Sequence, residues 1–395
     1  MRSPFRGLPR TFVVLWWGML VNRLGGFVVP FLAIYLTSQR GFSVERVGLI
    51  LSLYGAGSVL AGPLGGWLSD RLGRKTVMLA SLCLGAASAL ALALVRSGPA
   101  VACAVFCVSF LGDMYRPACS AMVADLIPDE RQRAFGLVYW AINLGFSGAM
   151  IVAGVLMRFG YLVLFAADAA TTLAFAALVA LRIQETRPEG AQAHPLHIAA
   201  PFRDGRFVSF FLLMLGIAVI YSQAHCTLPV DMQSHGISAA GYGYIIAING
   251  VMIVLLQPWV SQRLGRLPPA RMLAFSGLLV GAGFGIQALA GGVPVYVAAI
   301  VVWTLGEIVG APMGAAVVAS LAPASLRGTY QGAFGMAWGG GAFLAPMLGG
   351  FVMGRWGGPS LWVGCLALGC LVGVGHWFVT GAILDRGAAR RPRLV

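Results

Sequence analysis

Leu111-Gly112-Asp113-Met114 and Leu305-Gly306-Glu307-Ile308 stand 194 residues apart, and each sets an acid in the middle of a long apolar run. The correspondence continues around them with a slowly drifting offset. Pro117 and Pro128 match Pro312 and Pro323 at 195, and Gly136, Gly145, Gly154 and Met157 match Gly332, Gly341, Gly350 and Met353 at 196. Upstream, Gly41-Phe42-Ser43 answers Gly236-Ile237-Ser238. Chance matches would scatter, whereas small insertions in a duplicated chain move the offset in ordered steps. The chain is therefore expected to consist of two related halves with an acid at equivalent depth in each.

Composition says what solvent those halves face. The 395 residues are 59% hydrophobic and 10% charged, with a mean hydropathy of +0.84. A soluble chain of this size carries about a quarter charged residues. Apolar runs long enough to span a bilayer, roughly 20 residues each, are expected at 11–37, 45–68, 76–96, 99–124, 134–157, 161–182, 207–233, 240–262, 271–290, 294–318, 329–353 and 358–381. The expectation is an all-α membrane protein of twelve transmembrane helices in two pseudo-symmetric six-helix bundles. Residues 1–182 form the first bundle and 207–381 the second, with a cytoplasmic linker at 183–206 and a tail at 382–395. The linker holds Pro188, Gly190, His194 and Pro195, turn and loop formers in the one long polar stretch.

The net charge of +14 reports topology rather than a nucleic-acid surface. With both termini inside, cytoplasmic segments hold 20 Lys and Arg residues and the outer loops five, Arg40, Arg46, Arg96, Arg158 and Arg355. That bias sets orientation in a bacterial-type inner membrane by the positive-inside rule. No cleavable leader is expected, because the basic start runs into a full-length span. The seven cysteines (83, 103, 107, 119, 226, 365 and 370) all fall in apolar segments. None has metal-ligand spacing with histidine, so they read as small core residues and no metal is expected. Short outer loops leave no room for an extramembrane catalytic domain, and no nucleophile–base pair stands out.

Between the second and third expected spans lies Gly66-Trp67-Leu68-Ser69-Asp70-Arg71-Leu72-Gly73-Arg74-Lys75. Gly73 permits a tight turn, and the Asp70 carboxylate can meet a helix N-terminus or a guanidinium. The stretch fits G-x-x-x-D-[RK]-x-G-R-[RK] at every fixed position and resembles the hallmark loop of the major facilitator superfamily. That resemblance implies alternating access, with Asp70 and Arg74 latching the cytoplasmic side in the outward-open state and Asp125 partnering the basic residues. The second half keeps only Ser261-Gln262-Arg263-Leu264-Gly265-Arg266, with Gln262 in place of the aspartate.

On the fifth span, Asn143-Leu144-Gly145-Phe146-Ser147-Gly148-Ala149-Met150-Ile151-Val152-Ala153-Gly154 resembles the glycine-rich motif of the drug:proton antiporter branch. Ala149 and Met150 replace its Gly-Pro, which weakens the case for antiport over symport. The eleventh span keeps a fuller version around Gly341, Pro346, Gly349 and Gly350. Glycines so spaced give a smooth face for close packing, and Pro346 bends its helix. Around Tyr139-Trp140-Ala141-Ile142-Asn143 and Thr304-Leu305-Gly306-Glu307 the chain is similar to proton-driven multidrug exporters. The resemblance gives the acid at the Glu307 position a part in proton and drug handling. Val138 stands where some of them carry a further acid.

Charge at bilayer depth is costly and is usually paired, protonated or functional. Proton coupling is therefore expected of Glu307, Asp113, Arg116 and Arg23. Arg116 follows Asp113 by three residues on one helix face and would hold it ionised, leaving Glu307 the better carrier. The structural alternative is a static Asp113–Arg116 pair with Glu307 neutralised by Arg23. Substrate contacts are expected from Asn22, Arg23, Tyr139, Trp140, Asn143, His225, Glu307 and Trp338. Asp168 and Asp231 are read as interfacial, and His376 as peripheral. The reading is a transporter driven by the proton gradient without cofactors, a monomer that binds protons and a small molecule. It exports amphipathic compounds or, alternatively, moves a polar or anionic metabolite, sugar or peptide. A transport-inactive sensor and a membrane enzyme are further alternatives.

Overall fold

The computed structural model describes residues 4–26, 32, 35–36, 40–42, 44–156, 159–187, 199–237, 239–264 and 267–383. Within these the chain is helical: α1 (Arg10–Leu24), α2 (Val44–Leu72), α3 (Arg74–Leu94), α4 (Gly98–Leu126), α5 (Arg131–Leu156) and α6 (Tyr161–Arg182). Then come α7 (Gly205–Cys226), α8 (Ala239–Leu264), α9 (Pro269–Ile286), α10 (Val293–Leu321), α11 (Arg327–Trp356) and α12 (Gly358–Gly375). Among the described residues, nine helical segments, those of α3, α4 and α6–α12, are long and apolar enough to cross a membrane. Helices α1, α2 and α5 occupy the positions expected of spans 1, 2 and 5. The chain is a multi-pass membrane protein. Pro188, Gly190, His194 and Pro195 of the expected linker, Ser43, Met157, Arg158, Ser238, Gly265, Arg266 and the tail from 384 lie outside the described residues.

The chain forms two compact units, Met1–Ala200 with Ala322–Met336, and Pro201–Leu321 with Ala337–Val395. In the first, Leu32, Tyr35, Leu92, Val105 and Phe165 share a buried cluster. In the second, Phe284, Tyr296, Trp303 and Trp362 form the corresponding mass. Lipid is as apolar as these side chains, so close packing and hydrogen bonds hold the helices together. Gly145 of α5 leaves room for the Cβ of Arg23 on α1, and Gly341 of α11 does the same for Ala218 on α7. The two seams are equivalent by the sequence offset. Gly350 does not share in this: a Cβ there would meet nothing within 4 Å. The packing falls instead to Gly349, against which the Gln223 carboxamide rests while donating to Ala345 O at 3.0 Å. The Gly154 surroundings lie outside what is described.

Helix α4 departs from the expected continuous span, breaking at Met114 between Gly98–Asp113 and Tyr115–Leu126. Two causes meet there. Pro117 has no N–H to give to the Asp113 carbonyl. Ser81 of α3 also inserts its hydroxyl into the ladder, donating to Leu111 O at 2.6 Å and accepting from Tyr115 N at 2.9 Å. In the second unit Ser276 donates to Gly306 O at 2.7 Å, and Gln257 gives its amide to Ile308 O at 3.2 Å, the carbonyl that Pro312 leaves unserved. There α10 runs through unbroken.

The cysteines are less uniformly internal than expected. All seven are free, Cys119 and Cys365 are buried, and Cys83, Cys103 and Cys370 are exposed. On a membrane helix an apolar residue has two acceptable surroundings, protein and lipid, which composition alone does not separate. His376 is fully buried rather than peripheral, with Nδ1 2.9 Å from Thr380 Oγ1 inside a π turn, His376–Thr380.

Candidate functional site

The loop between α2 and α3 organises the first unit. Gly73 turns the chain at φ +104°, and Glu185 lays its carboxylate on the start of α3, accepting from Arg74 N at 2.9 Å and Lys75 N at 3.0 Å. A side chain at Gly73 would strike that carboxylate. Arg74 is fully buried, with Nη1 3.2 Å from Asp70 and Nε 3.3 Å from Asp125. Asp125 also pairs with Arg327. The Asp70 carboxylate accepts from Gly328 N at 2.9 Å and from Thr329 N and Oγ1 at 2.7 Å each. It thus caps α11, where free N–H groups and the helix dipole favour an anion. Gly66 approaches the Gly328 carbonyl closely enough to exclude any side chain. Arg71 lies 5.3 Å from the Trp67 ring, and Lys75 donates to Ala180 O at 2.9 Å. The structure thus gathers the expected gating residues, adding Glu185, Arg327 and Thr329.

A second polar site lies at the α4 break. Asp113, buried, accepts from Ser58 Oγ of α2 at 2.6 Å and pairs with Arg116 at 2.8 Å. Its residues line a cavity of about 110 Å³ with Asn22, Arg23, Tyr54 and Thr172. Asn22 is fixed from both sides, donating to Thr172 Oγ1 at 3.0 Å and accepting from Tyr115 OH at 3.2 Å. Asp168 lines the same cavity rather than sitting at an interface.

In the second unit Glu307 accepts from Asn249 Nδ2 of α8 at 2.7 Å, and the same amide reaches Thr304 Oγ1 at 3.0 Å. Each acid on the fourth helix of its half is therefore bound by a polar side chain from the second helix. Trp303, one turn before Glu307, faces Tyr221, which also stacks on Trp338 at 5.9 Å. His225 is exposed. Trp140 packs on Trp16, centroids 5.0 Å apart, in the α1–α5 seam. Asn143 donates to Tyr139 O at 2.9 Å within α5. Asp231 is buried rather than interfacial, accepting from Tyr296 OH at 2.7 Å and Trp362 Nε1 at 3.1 Å.

Ser58, Asn249 and Ser81 escaped the sequence reading, although Ser81 and Ser276 stand at the repeat offset of 195. That match was the available clue. Ser58 and Asn249 are mild polar residues in apolar spans, without formal charge to mark them.

Similarity to known proteins identifies the family. The chain is 29% identical over 370 residues to the uncharacterized MFS-type transporter YttB of Bacillus subtilis, covering 91% of this chain and 93% of that one. It is 27% identical over 353 residues to multidrug resistance protein MdtH of Cronobacter sakazakii, covering 86% and 85%. Its fold matches the crystal structure of the human organic anion transporter MFSD10 with a TM-score of 0.76 at 20% identity, over 93% of this chain and 99% of that one. The family described as Major Facilitator Superfamily matches residues 15–346 and 206–393. With two compact units and an acid at the equivalent place in each half already on the page, the chain belongs to the major facilitator superfamily of transporters.

Proposed function

We propose that this transporter works by alternating access and exports amphipathic small molecules against an inward flow of protons. The observation that carries the reading is the pair of intramembrane carboxylates, Asp113 and Glu307, at equivalent places in the two halves. An ionised group costs several kcal/mol at such depth, so each is retained against a standing penalty. Asp113 is held by Arg116 and Ser58. Glu307 is served by the neutral amide of Asn249 and is the proton carrier. Trp338, part-exposed, and the Tyr221 ring packed on it suit apolar ligands of variable shape. The similarity to a multidrug resistance protein supports the same direction. Asp70, Arg74 and Asp125 hold the first turn of α11 during the outward-open part of the cycle, and their release belongs to the transition.

The proton gradient is the only energy source required, with no cofactor. The protein resides as a monomer in a bacterial-type inner membrane with both termini in the cytoplasm, in line with its loop charges. Everted vesicles carrying the protein provide the test. An amphipathic dye should be taken up on energisation and released by a protonophore. Uptake unchanged by the protonophore would end the proton-coupled reading, whatever the substrate.

A further inference from the structure

The cavity at the α4 break holds a buried donor without an acceptor. Arg23 and Arg116 both line it, and each guanidinium carries five N–H donors and no acceptor. Asp113 already receives Ser58 and one arm of Arg116, and Asn22 is engaged on both its oxygen and its nitrogen. Asp168 has interactions of its own. Arg23 Nε is buried and finds no hydrogen-bond acceptor. The Arg116 side chain remains 47% exposed despite its ion pair. A buried donor without an acceptor is costly, and a ligand oxygen or water removes that cost.

We propose that this cavity is a subsite for the anionic group of the substrate, a carboxylate or sulfonate received by the Arg23 guanidinium with Arg116 beside it. The inference rests on the transporter reading above and deepens it by assigning the substrate a charge. Guanidinium donors match planar or tetrahedral oxyanions in geometry as well as charge. Size limits what enters. About 110 Å³ is well below the roughly 300 Å³ of a complete ligand pocket. The cavity therefore takes the charged end of a molecule whose apolar body lies elsewhere. Asp113 contributes by fixing Arg116: three residues apart on the helix, at its break, the pair orients the second guanidinium without cancelling the first.

The test is equilibrium binding to the full-length purified protein, without a proton gradient, of three probes of one shape: naphthalene-1-sulfonate, 1-naphthol and 1-naphthylmethylammonium. The sulfonate should bind most tightly to the wild type. Arg23→Gln should weaken the sulfonate at least about tenfold, leave naphthol unchanged and abolish the charge preference, while Arg23→Lys should restore part of it. Retained naphthol binding shows that the variant is folded. An unchanged sulfonate affinity in Arg23→Gln, or a wild type preferring the ammonium probe, overturns the proposal. Proton coupling is read separately, in flux. If the sulfonate preference stands while flux ignores a protonophore, the coupling reading fails and the subsite survives.

Discussion

The two halves descend from one pattern, and their carboxylate sites show how far they have parted. Asp113 lies at a broken turn, salt-bridged to Arg116 and bonded to Ser58. Glu307 lies on an unbroken helix, bonded to the amide of Asn249. Counted at the offset of the two acids, the position on α10 for Arg116 is Gly310, and a side chain there would collide with Ser276. The repeat thus keeps the depth of the acid and the identity of the supporting helix, with a cation among the partners of Asp113 and an amide among those of Glu307. On the proposed function, one ancestral position is divided between anchoring and carrying.

The sharpest way to break this contrast is to neutralise each acid in turn. Glu307→Gln should reduce proton-driven flux in everted vesicles by about 100-fold or more, equivalent to about 2.7 kcal/mol, with little change in melting temperature. Asp113→Asn leaves Arg116 uncompensated at bilayer depth, so it should lower melting temperature as well as flux. Equal flux and equal stability in the two variants would erase the division of labour.

The loops following the second helix of each half give the next comparison. Arg74 is buried between Asp70 and Asp125, so Arg74→Ala should cost about 3–5 kcal/mol, the range for a broken buried pair. Its counterpart region offers Arg263, whose guanidinium stacks 4.2 Å above Trp259. There Arg263→Ala should cost no more than about 1 kcal/mol, as expected of an exposed cation–π contact. Chemical denaturation in one detergent measures both. Comparable losses would mean that the second loop is more than a remnant.

Much of this organisation was legible in the chain, and the boundary of legibility is physical. Span length, the loop charges and the drifting offset follow from bilayer thickness and duplication, which act on whole segments. Asp70 and Arg74 could be named because a fully matched loop constrains charged residues at fixed spacing, and Asp125 because the family resemblance implies a partner for the basic residues there. The break in α4 was not visible, because Pro117 is tolerated inside many membrane helices. Only with Ser81 of another helix inserted beside it does the ladder open. Likewise Asp231 and His376 were misplaced because hydropathy orders residues along a helix and says little about which side faces protein. Glu185, in a linker that reads as bland, caps α3 only once the fold returns it to the loop.

The glycine seams test whether the halves remain equivalent where they pack. Gly145→Ala and Gly341→Ala both force a new methyl against a neighbouring helix, and each should cost about 1–3 kcal/mol in the manner of overpacked cores. Gly350→Ala, with open space at its Cβ, should lie within about 0.5 kcal/mol of the wild type. Thermal unfolding ranks the three. A loss at Gly145 alone would show that only the Arg23-bearing helix is tightly seated.

The smallest expected effect comes from the paired serines and separates a local helix break from ordinary helix contact. Ser276 gives one hydrogen bond to Gly306 O on a continuous helix, so Ser276→Ala should cost about 0.6 kcal/mol, the mean for hydrogen bonds between membrane helices. Ser81 holds two groups, Leu111 O and Tyr115 N, which face each other once its hydroxyl is gone. If they stay apart, two polar groups lose their partner and the cost should reach about 1 kcal/mol or slightly more. If they close into the ordinary helical bond, stability is largely restored, but α4 straightens and Asp113 turns away from Ser58. Ser81→Ala should then show near-normal melting with reduced flux, and a Ser58→Ala change made on top of it should have no additional effect. Additive losses from Ser81→Ala and Ser58→Ala would instead show that the two serines act independently and that the break does not position the acid.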